Sequence, residues 1–195
     1  MNSKTPISDP DIELMLAFQR GDEGALEQLI RKYEGLILNM ASRYTGDRAQ
    51  AEDLTQEVFL RVYKARKAYR PDCPFKHWIF RIVTNLCLNW VRDTKRERSV
   101  SLFAQEDSPQ VNIKDDQGRV SDYFRKLELK IAVKEAIDSL PSTQRLALIL
   151  NKYDECSYEE IARIMKMSVP AVKSLLYRAR ESLKEKLKRF VSTTE

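Results

Sequence analysis

From Ile12 to Trp90, and again from Leu127 to Leu187, apolar side chains recur at steps of three and four residues. With about 3.6 residues per helical turn, that spacing gathers them on one side of each helix, so the chain reads as helices rather than strands. Only five Gly and seven Pro are spread over 195 residues, too few for the tight turns of a barrel or sandwich. The expectation is an all-α protein.

The period places the elements. A first helix is expected from Ser8, as its cap, to Gly21. A second carries Leu26, Leu29, Ile30, Tyr33, Ile37, Met40 and Tyr44 and stops at Thr45-Gly46. A third buries Ala51, Leu54, Val58, Val62 and Ala65. Two prolines in Arg70-Pro71-Asp72-Cys73-Pro74 force a turn. A fourth helix then carries Phe75, Trp78, Ile79, Ile82, Leu86 and Trp90 on one face. From Ser99 to about Asp122 the period fails, and five acidic residues (Glu106, Asp107, Asp115, Asp116, Asp122) stand against Lys114 and Arg119. Such a stretch has little with which to build a core and reads as a linker. The expected division is a helical module over 1–98, a linker over 99–125 and a second module over 126–195.

The 34 basic against 29 acidic residues give a net charge of +5, which favours an anionic partner such as nucleic acid. No apolar run approaches a membrane span and the N-terminus lacks a basic-then-apolar leader, so a cytoplasmic location without membrane insertion is expected. Three separated cysteines (Cys73, Cys87, Cys156) argue against a disulfide framework. The single histidine, His77, removes most Cys-His and Ser-His catalytic schemes and leaves only a poor zinc set, so no metal is expected.

The sharpest local signal begins at Ser157-Tyr158-Glu159-Glu160, a capping box. Ile161, Ala162 and Met165 form a short apolar face, Ser168 is a second cap, and Pro170 sits in the next helix's first turn, where a missing N–H costs nothing. Two capped helices this close, with small Ala162 at their approach, read as a helix-turn-helix. In the second helix Val172, Leu176, Ala179, Leu183 and Leu187 form the buried stripe. Lys173, Ser174, Tyr177, Arg178 and Arg180 face outward, suited to a DNA groove or simply to water, and Tyr177 has the alternative of packing on the first helix.

In the third helix Asp53 and Glu57 share a face with Gln56 beside them. Paired carboxylates can hold a metal or act as acid and base, but Arg61, Lys64, Arg66 and Lys67 follow at once, and a protein-contact face is the better reading. A solvated face with Glu57 pairing Arg61 is the plainer alternative. Around the proline turn, Arg61, Lys64, Tyr69, Arg70, Phe75, Lys76, Trp78 and Arg81 interleave cations with rings, which is what unpaired bases and their phosphates need; Phe75, with Ile79 and Ile82, reads rather as core, and Trp78 fits either role. His77, Arg81 and Asn85 form a polar stripe along the fourth helix, where Asn85 can read the edge of an extruded base.

The run Ala51-Glu52-Asp53-Leu54-Thr55-Gln56-Glu57-Val58-Phe59, then Phe75 to Ile82 and Asn85, resembles region two of bacterial sigma factors of the extracytoplasmic-function (ECF) group. Leu140-Pro141, Gln144-Arg145, Tyr158 to Ala162 and the run to Arg178-Ala179-Arg180 resemble region four of the same family. The resemblance implies a non-enzymatic, cofactor-free protein that binds core RNA polymerase, recognises a promoter at two sites and assists its opening. It assigns Asp53, Leu54, Gln56 and Glu57 to the polymerase coiled coil. Arg61, Tyr69, Arg70, Pro71, Asp72, Cys73, Pro74 and Asn85 are assigned to the single-stranded −10 element. Lys173, Ser174, Tyr177, Arg178 and Arg180 are assigned to the −35 duplex, with Leu175 standing where a polar residue is often found. An anti-sigma factor is an expected partner. Free in solution the two modules are expected to close on each other, the first masking the −35 face of the second. A helix-turn-helix regulator that does not replace a sigma factor, and a metal-dependent nuclease built on Glu52, Asp53 and Glu57, are the competing readings.

Overall fold

Asp9 holds the ends of two helices at once. One carboxylate oxygen accepts from the N–H of Asp11 at 3.0 Å and caps α1 (Pro10–Gln19), while the other accepts from the N–H of Phe75 at 2.9 Å, where α4 (Phe75–Val100) begins. This double duty explains why Asp9, and not the expected Ser8, is the cap: a hydroxyl is too short to serve two helix ends. At its other end α1 supplies Gln19, whose amide donates to the carbonyl of Arg66 at 2.8 Å and pins the 3₁₀ turn Arg66–Ala68. The proline turn is thus braced from both sides.

The computed structural model describes residues 8–100 and 119–191, which are helical throughout apart from short connections and contain no strand. Helix α2 (Glu23–Thr45) starts at Asp22 and ends at Gly46, whose φ of 74° is the left-handed conformation that glycine adopts without penalty. Asp47 then caps α3 (Arg48–Ala65), so α2 and α3 form a hairpin. Beyond the linker come α5 (Arg119–Asp138), α6 (Ser142–Lys152), α7 (Tyr158–Met165) and α8 (Val169–Val191). Helix α4 continues to Val100 and α5 begins at Arg119, so both ends of the span 99–125 read as linker are helical; residues 101–118 lie outside the described residues.

Leu29, Tyr33, Ile37 and Met40 of α2, Val58 and Val62 of α3, and Phe75 and Ile79 of α4 are all buried. The same apolar cluster runs on without a break into Leu146, Ile149, Ile161, Ile164, Val172 and Leu176 of the C-terminal module. Helix α4 makes this possible. Besides the expected stripe, Phe80, Val83 and Cys87 are buried, so the helix is apolar on two sides and sits between the modules. Arg145 adds a polar tie: its guanidinium donates to the carbonyl of Tyr44 at 2.8 Å and lies 3.4 Å from Asp138.

Candidate nucleic-acid and polymerase interfaces

The helix-turn-helix forms as its caps dictate. Ser157 Oγ accepts from the N–H of Glu160 at 3.2 Å, and Glu160 Oε2 accepts from the N–H of Ser157 at 2.8 Å, which closes the capping box on α7. Lys166, at φ 53°, reverses the chain, and Ser168 caps α8 by accepting from Ala171 at 3.3 Å. Val172, Leu176 and Ala179 of α8 are fully buried, while Leu183 and Leu187 are only partly so. Lys173, Ser174, Tyr177 and Arg178 are exposed on the other side of α8. Tyr177 is 66% exposed, which excludes its packing on the first helix. Arg180, also exposed, is turned back on its own module: one nitrogen lies 3.2 Å from Asn151 Oδ1 and 3.4 Å from the Tyr158 hydroxyl. Leu175 is half-buried in the apolar cluster.

On α3 the four residues assigned to polymerase separate. Asp53 and Gln56 are exposed, Leu54 is buried at the edge of the core, and Glu57 is half-exposed. Glu57 Oε1 accepts from Arg61 Nε at 2.8 Å, and that hydrogen bond draws the Glu57 carboxyl below its ordinary range. The expected Glu57–Arg61 pair is thus formed, joining a residue assigned to polymerase with one assigned to the −10 strand. Leu60 and Tyr63, one turn on, leave apolar surface exposed beside them.

In the proline turn Arg70, Pro71 and Asp72 are exposed and Cys73 and Pro74 half-buried. Tyr69 is turned inward. It is 2% exposed, packed edge-on against Trp78 at 5.0 Å and Phe75 at 6.2 Å, and its hydroxyl is buried without a partner among the described residues. Tyr69 was expected among the −10 contacts; in the free chain its ring lies in the core, where the turn before α4 buries it. Arg61 is held by Glu57, and Asn85 is exposed on α4.

Sequence reasoning found the stripe His77, Arg81 and Asn85 but not what meets it. His77 is 4% exposed and its Nε2 lies 3.0 Å from Glu160 Oε1 on α7. Arg81 Nη2 donates to the carbonyl of Arg163 at 3.3 Å, and Lys76 Nζ to that of Asp154 at 3.4 Å. Burial pushes the carboxyl of Asp154 up to about 6 against the pull of Arg43 and Lys76. The polar residues at 76, 77 and 81 were legible; their partners, some eighty positions away, carried no local signal. The expectation that the first module masks the −35 face is overturned by the same contacts, since the closed chain covers α4 and leaves the outward face of α8 open.

Among the described residues no group of three His, Cys, Asp or Glu side chains is placed to hold a metal ion. Burial pushes the Cys87 thiol up to about 12 and the Cys156 thiol up to about 11, the opposite of what a reactive thiolate needs. No helix among the described residues is long and apolar enough to cross a membrane.

Residues 29–97 match the family described as sigma-70 region 2, and residues 130–183 match sigma-70 region 4. The RNA polymerase sigma-H factor of Pseudomonas aeruginosa is 32% identical over 92% of this chain and 94% of its own length. The ECF RNA polymerase sigma-E factor of Escherichia coli is 32% identical over 91% of this chain and 94% of its own. Among solved structures, CnrH in complex with the cytosolic domain of CnrY is similar at a TM-score of 0.65 and 25% identity, covering 93% of this chain and 99% of that one. The sigma factor RpoE in complex with the anti-sigma factor NepR, from Bartonella quintana, shares the fold at a TM-score of 0.62 and 24% identity over 83% of this chain and 96% of that one. Two helical modules of these kinds, in this order, define a sigma factor of the sigma-70 class. The chain belongs to its ECF family. It is a promoter-directing transcription initiation factor, and the reading as a regulator that leaves the sigma factor in place is not favoured.

Proposed function

We propose that the chain divides its work between two exposed faces: Asp53 and Gln56 of α3 engage core RNA polymerase, and Lys173, Ser174, Tyr177 and Arg178 of α8 engage the −35 duplex. The observation that carries this is the separation of α8 into a buried side (Val172, Leu176, Ala179) and an open side that is basic and polar. A helix presented in that way can enter a major groove, with its N-terminal residues near base edges and its later cations near phosphates. Arg70, Pro71, Asp72, Cys73 and Pro74 of the turn, with Asn85 of α4, bind the melted −10 strand. Arg61 contributes once it is released from Glu57. Leu54 acts from beneath, by fixing the helix that carries Asp53 and Gln56.

Catalysis is left to the polymerase, and the chain acts in the cytoplasm where that enzyme works. Since the RpoE of Bartonella quintana was solved with an anti-sigma factor, a partner of that kind is proposed here too, held against Asp53 to Glu57 so that polymerase is excluded. Transcription from a promoter carrying both elements, with purified core polymerase and the full chain, tests the reading. Specific transcripts are expected only when the chain is added. Core enzyme that starts equally well without it would overturn the proposal.

A further inference from the structure

Between the end of α2 and the helices α5 and α6 lies a cavity of about 850 Å³, away from the polymerase and DNA faces. Leu127, Val133 and Ile137 of α5 and Ile149 of α6 line it, with the Tyr153 ring at the end of α6 and Gly46 at the end of α2. Steps of three and four residues put Leu127, Lys130, Lys134 and Ile137 on one face of α5, so that face brings apolar and cationic groups to the cavity together. Lys134 reaches toward α2, its Cε 3.9 Å from where a Cβ on Gly46 would stand. Arg43 lies 4.6 Å from the centre of the Tyr153 ring. Arg43, Lys130 and Lys134 are exposed, so their charges stand at the mouth, above apolar side chains that are buried or half-buried. The one acid in this lining, Asp138, is already engaged by Arg145 at 3.4 Å. Carbonyls at the end of α2 that would repel an anion are also taken: that of Ser42 by the N–H of Gly46 at 2.9 Å, and that of Tyr44 by Arg145 at 2.8 Å. Leu129 and Tyr153 leave apolar surface open beside the mouth.

We propose that this cavity binds a single-chain amphiphile with an anionic head, a long-chain carboxylate or alkyl phosphate. Its chain lies against Leu127, Val133, Ile137 and Ile149, and its head meets Lys130, Lys134 and Arg43. The volume lies within the range of small-molecule sites, roughly 300–1,000 Å³. An apolar wall under a cationic mouth is the complement of such a ligand: the chain leaves water, and the head gains charge-assisted hydrogen bonds. A neutral or cationic amphiphile of equal length would bury the same chain and leave the three cations unsatisfied. Because α2 lines one side of the cavity and α5 and α6 the other, the ligand touches both modules at once.

The test is equilibrium dialysis of the full chain against laurate and dodecyl phosphate, kept below the concentrations at which they form micelles. Dodecanol and dodecyltrimethylammonium serve as the neutral and cationic counterparts. Both anions are expected to bind once per chain, to raise the melting temperature and to slow amide exchange in α5 and around Gly46. Dodecanol should bind roughly tenfold more weakly and the cation more weakly still. Each methylene added to the carboxylate should strengthen binding roughly fourfold until the cavity is full. Lys130→Gln combined with Lys134→Gln changes two exposed side chains, so it should leave the unliganded melting temperature and dodecanol binding as they are and weaken laurate roughly tenfold. Leu129→Glu, also at an exposed position, should weaken laurate and dodecanol alike. Absence of binding, equal binding of all three head types, or several molecules per chain with protection outside α5 and Gly46 would each overturn the proposal. Attachment to phosphatidylglycerol vesicles without binding of monomeric laurate would mark a membrane-contact surface and overturn it too. Binding that appears only after the acidic stretch 105–116 is replaced by a Gly-Ser run would assign the cavity to the chain itself, with the same consequence.

Discussion

Glu57 and Arg61 stand one turn apart on α3 and are joined at 2.8 Å. A carboxylate proposed for polymerase and a guanidinium proposed for the −10 strand thus neutralise each other in the free chain. Such an exposed pair contributes little to folding.

Asp53 has no such restraint and should dominate the polymerase contact. Asp53→Lys is expected to weaken core binding by roughly tenfold, because it places like charge against a surface chosen by acids. Glu57→Gln should weaken it less and, by freeing Arg61, strengthen binding to a single-stranded −10 oligonucleotide. Thermal unfolding should be unchanged in both. Equal losses of core affinity would show that the paired carboxylate is as available as the free one.

Tyr69 offers a separation of core from DNA roles. Tyr69→Phe removes a buried hydroxyl that has no partner among the described residues, so stability should stay within about 0.5 kcal/mol of the parent or rise. Tyr69→Ala should cost about 3–5 kcal/mol by opening a cavity beside Phe75 and Trp78. A Phe variant that is fully stable yet binds the −10 strand poorly would restore the tyrosine to the DNA surface.

The difference between Tyr69 and Ser157 shows what could be read in advance. A capping box is a local arrangement of four residues, and Ser157 with Glu160 formed as its sequence requires. The helical stripes of α2, α3 and α8 were equally local, as was the stop at Gly46. Tyr69 lies among cations in a turn, a context shared by base-stacking rings and by rings that seal a core, and only the position of Trp78 decides between them. The cap of α1 moved from Ser8 to Asp9 for a similar reason, since the second helix end that Asp9 serves is at Phe75. The second apolar side of α4, through Phe80 and Cys87, was present in the sequence but had no meaning until the C-terminal module joined the same cluster.

Arg178 and Arg180 look alike in sequence and should behave differently. Arg178 is exposed with an open path to DNA, and Arg178→Ala is expected to cost on the order of 1–3 kcal/mol in −35 duplex binding if it reaches a base. Arg180 is bound to Asn151 and Tyr158, so Arg180→Ala should act mainly by loosening the junction of α6, α7 and α8. Its signature would be a lower melting temperature with a smaller loss in duplex affinity. The reverse pattern in a paired anisotropy and calorimetry experiment would exchange their roles.

Two acids on the C-terminal module make opposite contributions to stability as pH changes. Burial raises Asp154 from 3.8 to about 6, so the folded chain prefers it neutral; its contribution is complete below about pH 4 and is lost as pH rises through 6. Glu160 is held down from 4.5 to about 2, first by the Ser157 N–H and then by His77, so its contribution is complete above 4.5 and is lost as pH falls toward 2. Asp154→Asn should therefore raise the melting temperature at about pH 8 and have no effect near pH 4, the gain appearing between those limits. Glu160→Gln should lower it throughout the neutral range and converge on the parent at the acid end. Melting curves from about pH 3 to pH 8 for the parent and both variants check the signs. An Asp154→Asn variant that is less stable than the parent at neutral pH would mean that Arg43 and Lys76 outweigh burial, and that the buried acid ties the modules together rather than straining them apart.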